Sequence, residues 1–246
     1  MRYFIELAYN GKQYHGWQNQ PNAISVQQVL EKALSTLLKD NIAIVGAGRT
    51  DTGVHAKQMF AHFDVYSELD SSKLIYKLNA FLPQDIAVYN LYQVNEEAHA
   101  RFDALSRTYE YHISARKDVF NADRAYYVKT DIDIEKMNEA CKILFDYKNF
   151  KCFSRSNTDV KTYNCDILLA NWQKTNNQLI FTIKADRFLR NMVRAVVGTM
   201  LQIGVGKLKV EDLHGIIKSQ DRGEAGPSAP AHGLYLTKIE YPRDII

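Results

Sequence analysis

The stretch richest in groups able to do chemistry is Gly46-Ala47-Gly48-Arg49-Thr50-Asp51-Thr52-Gly53-Val54-His55. Its three glycines permit sharp backbone turns and close approach of another molecule. Between them stand one cation, Arg49, one carboxylate, Asp51, and two hydroxyls. A carboxylate held in such a turn can act as nucleophile or general base. Asp in a glycine-rich hairpin also commonly bonds its own backbone, and composition alone favours that plainer role.

Asp51-Thr52-Gly53 also matches the active-site triplet of aspartic proteases. Those enzymes need two carboxylates sharing one proton. The nearest second candidate, Asp70-Ser71-Ser72, lacks the glycine, so only a homodimer would supply the partner. Arg49, two residues before Asp51, also sits where that family keeps an apolar strand.

A second concentration of charge runs from Lys184 to Lys209, where six basic side chains face one acid, Asp186. Residues 1–104 hold 9 Lys and Arg against 11 Asp and Glu, and residues 105–246 hold 22 against 17. The halves are therefore at −2 and +5, and the net charge of +3 comes entirely from the second. A local basic stripe on a near-neutral chain suits a shaped polyanion better than general adhesion to DNA; a solvated helix face gives the same pattern. At about 100° per residue, Leu189, Met192, Val193, Val196, Val197 and Met200 form one helix face. Arg187, Arg190 and Arg194 form a separate stripe at i, i+3 and i+7.

Other chemistries find little support. The three cysteines, Cys141, Cys152 and Cys165, are odd in number and lack metal-ligand spacing, which suits reduced thiols in a cytoplasmic protein. The seven histidines, His55 and His62 among them, form no metal cluster in sequence, and neither zinc nor a cofactor is expected. Glu6 interrupts the N-terminal apolar residues and no apolar run reaches membrane-spanning length. A chain 46% hydrophobic and 24% charged is that of an ordinary globular protein, and 246 residues suffice for one large domain or two modest ones.

The elements that must position these groups read as two blocks of similar plan. Tyr3, Ile5, Leu7 and Tyr9 alternate as a half-buried strand, and Asn10-Gly11 makes a turn. Ser25 caps a helix carrying Val26, Val29, Leu30, Ala33, Leu34, Leu37 and Leu38. Strands over residues 42–45 and 59–66 flank the Asp51 loop, a helix covers 74–81, and a strand covers 86–94. That order, β-α-β-β-α-β, is the ferredoxin-like plan. The second block has a strand over 108–113, a helix over 134–145 capped by Asp131 or Asp133, and strands over 166–172 and 179–185. Helices over 188–203 and 210–217 and a strand over 235–241 complete it. The expected fold is α+β: two ferredoxin-like halves, residues 1–104 and 105–246. Their antiparallel sheets would join across a central basic cleft, a common place for a site.

The Asp51 segment resembles the catalytic loop of the tRNA pseudouridine synthase A (TruA) family, Ala-Gly-Arg-Thr-Asp-Ala-Gly-Val-His, with Thr52 the one departure. Four further stretches resemble that family's motifs in the same order. They are Tyr14-His15-Gly16-Trp17-Gln18; His99-Ala100-Arg101-Phe102 with Arg107-Thr108-Tyr109-Glu110-Tyr111; Phe188 to Arg194 with Val197-Gly198; and Ala229 to Leu236. His232 is a local variation in the last. Ordered motifs weigh more than any single one.

The resemblance implies isomerisation of uridine to pseudouridine in the anticodon stem-loop of tRNA, at tRNA positions 38, 39 and 40. It implies Asp51 as the catalytic carboxylate, with no cofactor and no metal. Whether the carboxylate attacks the sugar, adds to the base or removes a sugar proton stays open. Tyr109 aligns with the family's base-stacking tyrosine and Arg194 with the arginine that pairs with the aspartate. Arg49, Arg101, Arg187 and Arg190 are then left for phosphates and the extruded nucleotide, and Leu234 joins the substrate-binding set through the C-terminal motif. The family is dimeric, so a homodimer spanned by tRNA is expected. Two alternatives remain: a non-catalytic tRNA-binding protein of the same fold, and the dimeric aspartic protease.

Overall fold

The computed structural model describes residues 1–156, 160–175 and 178–246. It is an α+β structure whose strands are mostly antiparallel. Internal contacts divide the chain into two units, Met1–Ser106 with Tyr235–Ile246, and Arg107–Leu234. Among the described residues no helix is long and apolar enough to cross a membrane.

The first unit is built on β1 (Arg2–Tyr9), α1 (Val26–Leu38), β2 (Val45–Gly46), β3 (His55–Asp64), α2 (Ser71–Phe81) and β4 (Ile86–Val94). β1 lies between β3 and β4, antiparallel to both, with Ile5 opposite Ala61 on one side and Leu91 on the other. The alternation at Tyr3, Ile5, Leu7 and Tyr9 is one buried face, and Phe4 is buried on the other. Ser25 caps α1, its Oγ accepting from Gln28 N at 3.1 Å, and Val26, Leu30, Ala33 and Leu34 turn inward. α2 begins at Ser71, three residues before its apolar run, because Asp70 Oδ1 accepts from Lys73 N at 3.0 Å and sets the first turn there.

The strand expected over residues 42–45 is a correction. Only Val45 and Gly46 pair with β3. Ile42 and Ile44 are buried in alternation, but their N–H groups bond α1 side chains: Ile42 N to Ser35 Oγ at 2.9 Å and Ile44 N to Glu31 Oε1 at 3.0 Å. With those donors taken there is no ladder to join. β3, by contrast, starts four residues earlier than expected, at His55, where Ala56 pairs with Tyr9.

The second unit comprises β5 (Ser106–Ser114) from Arg107 onward, β6 (Tyr126–Tyr127), α3 (Ile134–Leu144), β7 (Ile167–Thr175), β8 (Gln178–Ala185), α4 (Met192–Gly204) and α5 (Asp212–Ser219). β8 is antiparallel to β5 and to β7, with Phe181 opposite Tyr111 and Trp172. Asp133, not Asp131, caps α3, which buries Met137, Ala140, Cys141 and Leu144. The last strand, β9 (Leu234–Glu240), runs parallel to β3 with His55 opposite Tyr235, which places residues 235–246 in the first unit. The alternation of apolar residues in that strand carries no information about its pairing partner.

Candidate functional site

Asp51 sits in a turn closed by its own carbonyl, which accepts from Val54 N at 3.1 Å, with Gly53 at a φ of 79°. The turn is held by the segment that follows β1. Trp17 N donates to Thr50 O at 3.2 Å, Gly53 N donates to Tyr14 O at 3.3 Å, and Tyr9 Oη meets Thr50 Oγ1 at 2.8 Å. Close approach explains the glycines. A Cβ on Gly16, whose φ is 88°, would lie 2.3 Å from Thr50 O, and one on Gly46 would lie 2.3 Å from Trp17 Nε1. Trp17 is core, buried beside Gly46 and Tyr9. The sequence pattern around Gly16 and Trp17 therefore works through the Asp51 turn, by contact.

The ring of His55 belongs to the same framework. Its Nδ1 accepts from Gly11 N at 3.1 Å, and its face stacks on Tyr235 at 4.7 Å. Tyr14 donates its hydroxyl to Asp85, and burial together with that carboxylate raises the phenol's pKa. Asp51 itself is half-buried and Arg49 exposed on the same loop. Arg101 is exposed on a loop after β4, with its guanidinium 5.7 Å from the ring centre of Phe102.

In the second unit Tyr109 lies on β5 opposite Ile183, half-buried, with Phe188 edge-on to its ring at 5.2 Å and 89°. Phe188 is brought there by the bend after β8. Asp186 Oδ1 accepts from Arg187 N and from Asp166 N, each at 2.7 Å, and Arg107 Nη1 donates to Asp186 O at 2.9 Å. The sequence marked Phe188 as part of a motif and as the start of a helix, and its contact with Tyr109 depends on this bend.

The arginine stripe needs correction. α4 begins at Met192, because Asn191 takes a left-handed φ of 67° and so ends any helix running in from Phe188. Arg187 and Arg190 precede the helix, and Arg190 O accepts from Arg155 N at 3.0 Å. Only Arg194 is helical. Its Nε donates to Ala229 O at 2.7 Å while Ala229 N donates to Arg194 O at 2.9 Å. The segment before Ala229 is tied down by Arg222, whose Nη1 reaches Gly226 O at 3.0 Å and whose Nη2 reaches Ser228 Oγ at 2.9 Å. Asn191 Nδ2 donates to the same hydroxyl at 2.7 Å. Arg222 went unread in the sequence, although its targets lie only four to six residues on. Leu234 is buried at the start of β9.

A model of the tRNA pseudouridine synthase family matches residues 7–103 and 140–242. The chain belongs to the tRNA pseudouridine synthase family. It is 54% identical over 246 residues to a Bacteroides fragilis protein named tRNA pseudouridine synthase A, covering 99% of this chain and 98% of the relative. The Parabacteroides distasonis protein of that name is 52% identical over 245 residues, covering 99% and 97%. A Bacillus licheniformis protein, likewise named, is 40% identical over 245 residues, covering 98% and 99%.

The tRNA pseudouridine synthases are isomerases, and membership covers most of the candidate residues. Arg49, Asp51 and Arg101 fall in the first matched stretch, and Arg190, Arg194 and Leu234 in the second. Tyr109 falls between them and is spanned by the near-full-length relatives.

Proposed function

We propose that this chain isomerises uridine to pseudouridine in the anticodon stem-loop of tRNA, at tRNA positions 38, 39 and 40, with Asp51 as its catalytic carboxylate. The observation that carries the reading is the fixed placement of the Asp51 turn by Tyr9, Tyr14, Gly16 and Trp17. A carboxylate that must meet one sugar carbon needs such a preset position. In the reaction the N1–C1′ bond breaks, the base turns, C5 bonds C1′, the C5 proton leaves to solvent, and N1 takes up a proton in its place. No electrons enter or leave overall, so the reaction requires no redox cofactor.

In this reading Tyr109, edge-on to Phe188, stacks on the extruded base, a contact worth about 1–3 kcal/mol. Arg194 faces the carboxylate, Arg49, Arg101 and Arg190 take phosphates, and Leu234 completes the base pocket. Two ferredoxin-like halves around a basic cleft, a homodimer spanned by tRNA and a cytoplasmic location belong to the same proposal. Release of tritium from tRNA labelled at uracil C5 tests it. Wild-type protein should release tritium, and Asp51→Ala should release none while still binding tRNA. Release by Asp51→Ala at the wild-type rate would refute the role of that residue. Binding without release by the wild type would point to a non-catalytic tRNA-binding protein.

A further inference from the structure

The loop after β4 that carries Arg101 is held by groups with no part in the proposed chemistry. Ala100 is fully buried, and both polar atoms of its backbone are engaged. Its N–H donates to His62 Nδ1 at 3.2 Å, and its carbonyl accepts from the Tyr241 hydroxyl. His99 then takes the next two donors: its Nδ1 accepts from Arg101 N at 3.1 Å and Phe102 N at 3.3 Å. Its own N–H donates to Asp103 Oδ2 at 2.7 Å. The two imidazoles meet edge to face at 4.7 Å, and His62 stacks against Phe4 of β1 at 6.1 Å. Phe102 lies 4.3 Å from the His99 ring, and the Arg101 guanidinium lies over Phe102.

A backbone N–H can only donate, so each Nδ1 must carry a lone pair, which fixes both rings as the Nε2–H form. Three consecutive N–H groups, of Ala100, Arg101 and Phe102, are thereby tied to two rings, and the backbone on both sides of the Arg101 Cα is set. A surface helix or strand would satisfy these donors internally; here side chains do it, which permits an irregular path that ends with an exposed cation on a fixed base.

We propose that His62 and His99 are positioning residues that hold the residue 99–102 turn so that Arg101 presents its guanidinium to RNA. This rests on the reading of Arg101 as a phosphate contact. Since a phosphate contact holds substrate and transition state alike, loss of the turn should raise KM and spare kcat.

The test is steady-state turnover of tRNA by His99→Leu, His99→Asn, His62→Phe, Arg101→Ala and the double variant His99→Leu/Arg101→Ala, each shown folded by circular dichroism. His99→Leu removes the acceptor and should raise KM roughly tenfold with kcat within about twofold. His99→Asn should restore KM, because an Asn side-chain oxygen accepts from the N–H two residues on. His62→Phe keeps the ring stack without the acceptor and should match His99→Leu. The double variant should be no worse than Arg101→Ala.

Additive effects in the double variant would overturn the proposal, as would a His99→Leu protein with a lowered Tm and wild-type KM. Wild-type KM in Arg101→Ala would also overturn it. That result, in a protein whose Asp51→Ala variant is inactive, would leave the isomerase reading standing.

Discussion

Replacement of Gly16 by Ala should disable the enzyme without touching any group that does chemistry. At the Gly16 φ of 88° an L-residue is strained, at about 1–2 kcal/mol. The added Cβ would lie 2.3 Å from Thr50 O, where real contacts essentially never fall under 3.0 Å, so the backbones must part by at least 0.7 Å, the difference of the two. Thr50 O is the acceptor for Trp17 N, and bending that bond costs about 1 kcal/mol more. The expected loss of stability is therefore about 2–3 kcal/mol. The atom next in line is Asp51 C, 3.2 Å from the same Cβ, so the displacement passes to the carboxylate's own residue. A shift near 1 Å at a reacting group costs about 10²-fold in rate. Tritium release from labelled tRNA measures kcat, and urea melts measure stability. Gly48→Ala is the control, since a Cβ there meets nothing within 4 Å and its melt should be unchanged. A folded Gly16→Ala protein with kcat within threefold of wild type would refute the claim that this contact sets the site.

Arg194→Ala should cut turnover severely, and it should also cost about 1–2 kcal/mol of stability, because Ala229 O loses its donor. Wild-type kcat would remove Arg194 from the mechanism, and an unchanged melt would remove the structural role. Burial, with help from Arg2 and His99 and opposed by Asp64 and Asp103, lowers the His62 pKa from 6.5 to about 4. The unfolded chain takes up this proton first, so His62 contributes stability above pH 6.5 that is lost as pH falls toward 4, at up to about 1.4 kcal/mol per pH unit. Urea melts from pH 7.5 to 4.5 should fall less steeply for His62→Asn, and equal slopes would count against the assignment. Cys141, Cys152 and Cys165 are buried, which pushes each thiol up to about 12. A disulfide reagent at pH 8 should label them only on unfolding; rapid labelling of the native protein would show otherwise.

Features written in neighbouring residues were legible. The Ser25 cap rests on a side chain bonding an N–H three residues on and was visible in sequence; the α3 cap was narrowed there to Asp131 or Asp133, and the structure gives Asp133. The alternation of β1 was legible because Tyr3, Ile5, Leu7 and Tyr9 are all buried on one face of the strand. Boundaries failed where a distant group competed. Ile42 and Ile44 look like a strand, but α1 takes their N–H groups. The apolar run from Phe188 looks like helix, but Asn191 turns left-handed before Met192, and the arginine stripe disappears with that first turn.

Asp51 stood out in the sequence because a carboxylate among three glycines is unusual, and ordered motifs narrowed its chemistry to one family. What holds it was invisible there. Gly16 and Trp17 lie more than thirty positions before it, and only folding brings their backbone within hydrogen-bond reach of Thr50. The same holds for the two imidazoles beneath Arg101 and for the return of β9 to β3. Residue types and local spacing decide which groups are available, since caps, turns and periodicity act over a few residues. Which group meets which is decided by steric exclusion and hydrogen bonds between segments far apart in the chain, and those exist only once the chain has packed.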